Sequence, residues 1–206
     1  MVKTGTLGTK DVRSAILTEA TRLFEENGAD GFSMRQIADA IGYSATTIYL
    51  YFTDKNHLMY AVCEAGFADF GSSLAAAASA ETDPMEQLRA VGRAYVEFGL
   101  SHPLHYDVMF IRPQAWAIGR LANEIAGAER PEPESFVALV SLVSAAMDSG
   151  ALRAGDPREA AALIWSAVHG VVSLAISLGD QIDAFEPDDV RRRAMTITES
   201  ILTALR

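Results

Sequence analysis

The chain has 206 residues, half of them apolar, and a formal net charge of −10. This length and composition allow a sizeable core in one or two domains and exclude an intrinsically disordered chain. The one cysteine, Cys63, excludes an internal disulfide framework and indicates a reducing compartment, so we expect a cytoplasmic protein. The first thirteen residues, MVKTGTLGTKDVR, lack an apolar core, and we expect no signal peptide.

Caps, glycines and prolines predict an all-α chain of about nine helices. The first helix is predicted from about residue 10 to residue 27, with Gly28 as its stop. The runs Asp83-Pro84-Met85-Glu86 and Asp156-Pro157-Arg158-Glu159 each combine a cap, a proline at the first helical position and an acidic residue. Further helices are predicted from about 54 to 78, from 134 to 149, and from Pro187 onwards.

Residues 33–55, SMRQIADAIGYSATTIYLYFTDK, predict a helix–turn–helix. The first helix has apolar residues at helical spacing, and Gly42 follows where a turn needs positive φ. Ser44 caps a second helix, Ala45 to Tyr51, which buries Ile48 and leaves hydroxyl side chains to solvent or a ligand. Such a motif places its second helix in the major groove of DNA, so we expect double-stranded DNA as a partner.

The net charge seems to argue against DNA, but the acidic excess lies in the C-terminal part. Residues 1–60 carry six basic and seven acidic side chains, whereas residues 61–206 carry eleven and twenty. We therefore expect the acidic part to face away from DNA, and non-specific affinity to be weak.

An uncharged stretch, 160–179, is long enough to span a bilayer, but serines, His169 and acidic flanks favour a buried helix, so we expect no membrane span. It has two apolar stripes, one with Leu163 and one with Trp165; one stripe can face the chain's own core, and the other needs a further surface to cover it. We expect a homodimer; a central helix in a monomer is the alternative. The predicted interface comprises Leu163, Ala167, Val171, Leu174, Leu178, Ala194, Ile197 and Ile201.

Aromatic residues after Pro103 suggest a pocket for an unknown small-molecule effector, although ordinary core is the alternative. His102 and His105 could share a helix face, but Pro103 lies between them and no third ligand is spaced convincingly, so we expect no metal and no cofactor. Cys63 is expected to be a buried apolar residue. The candidate effector residues are Tyr95, Phe98, His105, Tyr106, Met109, Phe110, Trp116, Met147, Trp165 and His169.

The residues from Arg13 to Leu58 resemble the tetracycline-repressor (TetR) family of bacterial regulators. The resemblance rests on Arg13, Ile16-Leu17, Ala20, Leu23-Phe24, Gly28, Phe32-Ser33-Met34, Ile37-Ala38, Gly42, Ser44, Ile48-Tyr49, Tyr51-Phe52 and Lys55. More loosely, Trp165-Ser-Ala-Val-His169-Gly170 looks like the Trp/His/Gly signature of one ligand-domain subgroup of the family. It implies a homodimer in which residues 1–55 bind DNA and residues 56–206 bind an effector and dimerise. It also implies a repressor that releases operator DNA when a small molecule binds the C-terminal domain.

The resemblance also assigns DNA contacts, to which Arg35 is added because a positive charge in the first turn of a helix opposes the helix dipole. Two positions depart from the family pattern: Ala45 stands where a longer polar residue is frequent, and Thr46 where glycine is common. Both leave the operator sequence open. The predicted DNA-binding residues are Ser33, Arg35, Tyr43, Ser44, Ala45, Thr46, Thr47, Tyr49, Tyr51 and Lys55.

Two alternatives to a repressor stay open from the sequence. One is an activator or co-regulator of the same fold. The other is an all-α small-molecule carrier or an enzyme, and an enzyme would need an activated nucleophile, an acid–base pair or a metal cluster. The sequence has no such motif at recognisable spacing, so we predict that the protein is not an enzyme.

Overall fold

In the computed structural model the structure describes residues 9–111, 133–182 and 185–206. This part of the chain is all-α and contains no strand, which confirms the predicted fold class. A π-helical segment spans Asp107–Ile111, and a 3₁₀ turn spans Gly179–Gln181. The helices are α1 (Thr9–Asn27), α2 (Met34–Ile41), α3 (Ala45–Tyr51), α4 (Lys55–Ser79), α5 (Pro84–Ser101), α6 (Pro103–Tyr106), α7 (Glu134–Asp148), α8 (Pro157–Leu178) and α9 (Pro187–Ala204).

The predicted helix starts are confirmed by their hydrogen bonds. The Asp83 carboxylate accepts from the backbone N–H groups of Met85 and Glu86 at 2.9 and 3.0 Å, which caps α5. The Asp156 carboxylate accepts from the N–H of Arg158 at 2.8 Å, which caps α8. Each aspartate satisfies helix N–H groups that have no partner within the helix, and each fixes where its helix begins.

Two compact units make up the chain. The head comprises Met1–Gly66 and Val108–Ala128, and the body comprises Phe67–Asp107 and Glu129–Arg206. The division predicted after residue 55 falls at the start of α4, whereas the compact units divide within α4.

The head has its own core, in which α1 packs against α2 and α2 packs against α3. Phe52, expected from the sequence to be a core aromatic, is fully buried. The core side chains come from three helices and from the first turns of α4, so α3 is held by apolar contacts rather than by its own short length. They include Val12, Ile16, Ala20, Phe24, Met34, Ile37, Ile48, Leu58 and Val62.

The body is a packed set of four helices, with α9 against α8 and α5, and α7 against α8 and α5. Two arginine–glutamate pairs join α5 to α9: Arg89 with Glu199, and Arg191 with Glu97 through N–O distances of 2.6 and 3.0 Å. One apolar cluster at this core contains Met85, Leu88, Val143, Ala146, Leu152, Ala160, Ala161, Ile164 and Leu202.

Helix α8 has more apolar side chains than its own protomer buries. Its mean hydropathy over 18 residues is 1.8, and only 22% of that window is buried, so by length and composition it could cross a membrane. Ile164, Val168 and Val172 face the core, while Leu163 is 54% exposed and Leu174 46% exposed. The inward-facing residues include Val172 of the predicted Trp165 stripe, whereas the predicted Leu163 stripe contains the exposed Leu163 and Leu174. An apolar face therefore stays uncovered in a single protomer.

One residue of the predicted dimer interface needs correction. Ala194 on α9 has no accessible surface in the single protomer, whereas Ile197, one turn further on, is 37% exposed. The predicted stripe on α9 joined both residues, although Ala194 belongs to the core of its own subunit and is unavailable to a partner.

Candidate nucleic-acid interface and polar network

Local hydrogen bonds fix the turn between α2 and α3. Ser33 caps α2 in a capping box, since its Oγ accepts from the N–H of Gln36 at 3.3 Å and the Gln36 Oε1 accepts from the N–H of Ser33 at 2.8 Å. Gly42 ends α2 with φ of 75°, a left-handed conformation that favours glycine. Ser44 then accepts from the N–H of Thr47 at 3.2 Å and caps α3. The predicted turn and the predicted second helix are confirmed.

Helix α3 presents most of its side chains to solvent. Tyr49 is 51% exposed, Thr46 is exposed, and Tyr51 is half-buried. The Thr47 hydroxyl lies 2.9 Å from the Ser44 hydroxyl, so these two groups already share a hydrogen bond. Only Ile48 in α3 is buried. Ile48 is therefore the side chain that packs α3 into the core of the head, and the rest of the helix surface is available to another molecule.

The two predicted cationic DNA contacts, Arg35 and Lys55, differ in how their side chains are held. The Arg35 side chain is 86% exposed, and its nearest carboxylate, Asp39, is 4.0 Å away. The Lys55 ammonium instead donates to the carbonyl of Phe32 at 2.5 Å and lies 4.5 Å from the centre of the Phe32 ring. Lys55 thus ties the start of α4 to the residue before the Ser33 cap, whereas Arg35 is anchored only through its own helix.

The sequence prediction omitted Leu50, whose side chain is 80% exposed between Tyr49 and Tyr51. The signal was available, because Leu50 lies two positions after the buried Ile48 and so points away from the core in a helix of 3.6 residues per turn. It was passed over because hydroxyl and charged groups were sought.

The body contains a buried polar network built from α5, α6 and α8. The Tyr106 hydroxyl lies 2.6 Å from the His169 Nδ1 and 2.8 Å from the Tyr95 hydroxyl. The Trp165 indole N–H donates to the Tyr95 oxygen at 3.1 Å, and the Ser173 hydroxyl lies 3.1 Å from the His169 Nε2. Four of the predicted effector residues therefore meet at one place.

One arrangement of protons satisfies every group in this network. Trp165 can only donate, so the Tyr95 oxygen accepts from it and the Tyr95 hydroxyl donates to the Tyr106 oxygen. The Tyr106 hydroxyl then donates to Nδ1 of a neutral His169, and the Nε2–H donates to Ser173. Each tyrosine hydroxyl acts once as donor and once as acceptor, which is the condition for burying it at low cost.

Burial keeps the network uncharged near neutral pH. It raises the pKa of Tyr95 to about 12 and raises the pKa of Tyr106 further, because both phenolates would lose their hydration. It lowers the pKa of His169 for the same reason, since the imidazolium form is disfavoured. A neutral network of donors and acceptors suits hydrogen bonding to a ligand's polar group and does not supply a nucleophile or a charged acid.

Gly99 sets how closely α5 approaches this network. A Cβ at Gly99 would lie 2.4 Å from the Val172 Cγ1 and 3.1 Å from the ring of Tyr106. The absence of a side chain at Gly99 therefore lets Tyr106 reach His169. Sequence reasoning missed both Gly99 and Ser173; Ser173 could have been found, because it lies four residues after His169 on the same helical face.

The remaining predicted effector residues lie elsewhere. Phe98 packs edge-on against Phe70 with ring centres 5.0 Å apart, and Met147 packs against the apolar core of the body. His105 is buried on α6, outside the hydrogen bonds of the network. Met109 and Phe110 fall in the head unit, and Trp116 lies outside the described residues.

Cys63 is buried, as predicted, and its burial raises the pKa of the thiol to about 11. The thiol is therefore protonated at neutral pH, which does not favour redox chemistry.

Comparison with known proteins identifies the family. Residues 16–62 match the family model of bacterial regulatory proteins, tetR family, and residues 88–198, more than half of the chain, match the tetracyclin repressor-like C-terminal domain. The chain belongs to the TetR family. The family resemblance inferred from the sequence is thus confirmed, including the looser C-terminal part.

Individual relatives agree with this assignment. The transcriptional activator FasR of Mycolicibacterium smegmatis is 28% identical over 117 residues, which are 54% of this chain and 53% of FasR; the chain thus aligns with about half the length of this relative. A protein of unknown function from Rhodococcus sp. RHA1 has the same fold, with a TM-score of 0.75, 24% identity and 99% of both chains covered. So does FadR of Bacillus subtilis, solved with stearoyl-CoA, with a TM-score of 0.69, 18% identity, and 94% of this chain and 99% of FadR covered.

Membership confirms the predicted assignment at the level of the family. TetR-family proteins are ligand-responsive, DNA-binding transcriptional regulators that act as dimers and are generally not enzymes. The Trp165, His169 and Gly170 pattern, which suggested a subgroup of the family, now has a physical meaning. Trp165 and His169 hydrogen-bond the two buried tyrosines, and a Cβ at Gly170 would meet nothing within 4 Å, so the glycine is not required by space.

Proposed function

We propose that this protein is a cytoplasmic, dimeric repressor that binds operator DNA through α2 and α3 and releases it when a small molecule binds the body. The observation that carries the proposal is the solvent-exposed α3, capped by Ser44 and held on Ile48, within a chain of the TetR family. Helix–turn–helix dimers place two such helices in successive major grooves.

The DNA contacts fall into two groups by chemistry. Ser33 at the start of α2, Arg35, Tyr51 and Lys55 would contact phosphates, since charged and hydroxyl groups at a motif's edge fix its position on the duplex. Residues on and just before α3 would lie in the major groove and contact base edges or the adjacent backbone: Tyr43, Ser44, Ala45, Thr46, Thr47 and Tyr49.

Lys55 has a second role in this proposal. Its ammonium is already held by the Phe32 carbonyl and ring, so it would meet a phosphate without first losing side-chain freedom. Its replacement would therefore affect both the packing of the head and the affinity for DNA, which makes Lys55 a poor residue for a first test.

The dimer would form through α8 and α9. The exposed side chains of Leu163, Leu174 and Ile197, with partly exposed Ala167, Val171, Leu178 and Ile201, leave an apolar surface on these two helices. The small side chain of Ala167 permits close helix packing, and a two-fold axis would cover the same face of both protomers. Family membership favours this occupant over a lipid bilayer.

The effector is expected to contact the polar network of the body. Tyr95, Tyr106, Trp165 and His169 would exchange hydrogen bonds within the network for hydrogen bonds to its polar group, and apolar neighbours such as Phe136 would line the remainder. We expect a ligand-sized cavity for the effector within residues 84–180. Stearoyl-CoA is the first compound to test, because the Bacillus subtilis regulator of this fold was solved with it.

A mobility-shift assay with the full-length chain and the DNA flanking its own gene tests operator binding. Arg35→Ala should weaken binding and reduce the slope of log affinity against log salt by about one per protomer. Arg22→Ala is the matched control, because Arg22 is an exposed arginine of the head that pairs with Glu19 and Glu26 on α1. No shift at low salt, or equal effects of the two substitutions, would contradict the proposal.

Sedimentation tests the proposed dimer, and a reporter gene tests the proposed repression. Leu163→Glu should convert the dimer to monomer and abolish operator binding, since a charge would be placed in the apolar interface. Deletion of the gene should raise expression from the bound promoter; a fall would instead favour an activator, the function that FasR's name gives for that protein.

A further inference from the structure

The outermost side chain of α3 is apolar. Leu50 is 80% exposed, the largest exposed fraction of any large apolar side chain among the described residues; Leu163 follows with 54%. Successive residues of a helix are turned by about 100°, so Leu50 and Thr46 share the face opposite the buried Ile48. The part of α3 that reaches furthest from the head therefore ends in methyl groups.

Scattered exposed apolar residues are normal in proteins, so exposure alone assigns Leu50 no role. Its position supplies the further argument. It lies between Tyr49 and Tyr51 on the helix that a helix–turn–helix inserts into the major groove. A leucine has no donor or acceptor and gains nothing from a phosphate, so only an apolar group in the groove would complement it.

The major groove offers one apolar group, the C5-methyl of thymine. We propose that Leu50 contacts a thymine methyl in each operator half-site and so determines base preference at that position. This inference rests on the proposed operator binding and goes beyond it, because it assigns the residue and the base. It also locates part of the sequence preference outside Ala45 and Thr46, the two positions at which the chain departs from its family.

Deoxyuridine tests the contact directly, because it keeps every hydrogen-bonding group of thymine and lacks only the methyl. The operator is first selected from a randomised duplex library with the full-length protein, and each thymine is then replaced singly by deoxyuridine. Wild-type affinity should fall about fourfold at one position per half-site, the value expected for one buried methyl group.

Leu50→Ala should bind the thymine operator about tenfold more weakly and should show no further loss at that deoxyuridine position, since both changes remove the same contact. Leu50→Met keeps apolar volume and should retain the sensitivity. Val137→Ala, which alters an exposed apolar residue of the body, is the matched control and should behave as wild type. Leu50 is so exposed that its replacement should leave the melting temperature unchanged.

Three results would overturn the inference while the proposed function stands. The first is operator binding with no position sensitive to deoxyuridine, and the second is the same sensitivity in Leu50→Ala as in wild type. A change in sedimentation of Leu50→Ala without a change in affinity would also overturn it, since Leu50 would then contact protein. Absence of DNA binding by the wild type would overturn the proposed function and this inference together.

Discussion

Tyrosines lie at both candidate sites of this protein, and their surroundings are opposite. In the head, Tyr49 is 51% exposed on α3, and it has no hydrogen-bond partner within the described part of the chain. In the body, Tyr95 and Tyr106 are buried and hydrogen-bond each other, a tryptophan and a histidine. The same hydroxyl group is available to another molecule at one site and contributes to the protomer's own stability at the other.

The close packing around the buried tyrosines gives the largest expected effect. Gly99→Ala should destabilise the protein by about 1–3 kcal/mol, because its Cβ would overlap the buried, β-branched Val172 and press on Tyr106. Gly92→Ala on the same helix is the control, since its Cβ would meet only Thr198 at 3.8 Å, an ordinary contact. Thermal or urea unfolding measures both, and equal stability of the two variants would contradict the packing described here.

Removing one tyrosine hydroxyl from the head and one from the body tests the difference between the exposed and the buried tyrosines. Tyr106→Phe should lower the free energy of unfolding by about 1–2 kcal/mol, because His169 loses its shortest hydrogen bond. Tyr49→Phe should leave unfolding unchanged and weaken operator binding. Unfolding curves and DNA titrations on both variants separate the two roles, and a destabilised Tyr49→Phe would show that the exposed tyrosine is structural.

Within the head, one exposed hydroxyl does contribute to stability. Ser33→Ala should destabilise α2 by about 1 kcal/mol, since the capping box with Gln36 is lost. Ser33→Thr keeps the cap and should restore most of it. Hydrogen exchange of the Gln36 amide in the full-length protein reports the change locally; protection in Ser33→Ala equal to that of wild type would count against the cap.

The smallest expected effect is a pH dependence from His169. Burial lowers its pKa in the folded state, so below pH ~6.5 the unfolded chain binds a proton that the folded chain does not. Stability should therefore fall as the pH drops from about 6.5 towards the folded pKa. His169→Gln should flatten this part of the profile. The carboxylates with lowered pKa, Glu19, Glu97 and Glu199, contribute to the pH dependence only at more acidic pH. The difference in melting temperature between wild type and His169→Gln from pH 7 to 5 therefore measures the contribution of His169.

The helices and the motif were predictable because their signals are local. Asp83, Asp156, Ser44 and Gly42 fix helix ends through atoms a few residues away, and the sequence placed these ends within one or two residues. Which apolar stripe of α8 faces inward was not predictable, because nearly every position of that helix is apolar and only packing against α5, α7 and α9 decides it.

The polar network shows the same limit. Trp165 and His169 are four residues apart, so their pairing is visible in the sequence, but Tyr95 and Tyr106 join them across 70 and 63 positions. The absence of a side chain at Gly99 allows these distant residues to meet, and no periodic pattern in the sequence marks that glycine. Leu50 was overlooked for another reason: contacts to DNA were assigned by polarity, whereas the groove also offers methyl groups.

The uncovered apolar face of α8 has a consequence for gene dosage. Only 22% of its most apolar window is buried in one protomer, and in the proposed dimer the partner covers exposed apolar side chains such as Leu163 and Leu174. When the protomer concentration is below the dissociation constant of the dimer, the dimer concentration rises with the square of the protomer concentration. Halving expression then leaves about a quarter of the operator-binding dimer. A regulator that binds DNA near its own gene would then respond to its own abundance with a threshold, set by the packing of a single helix.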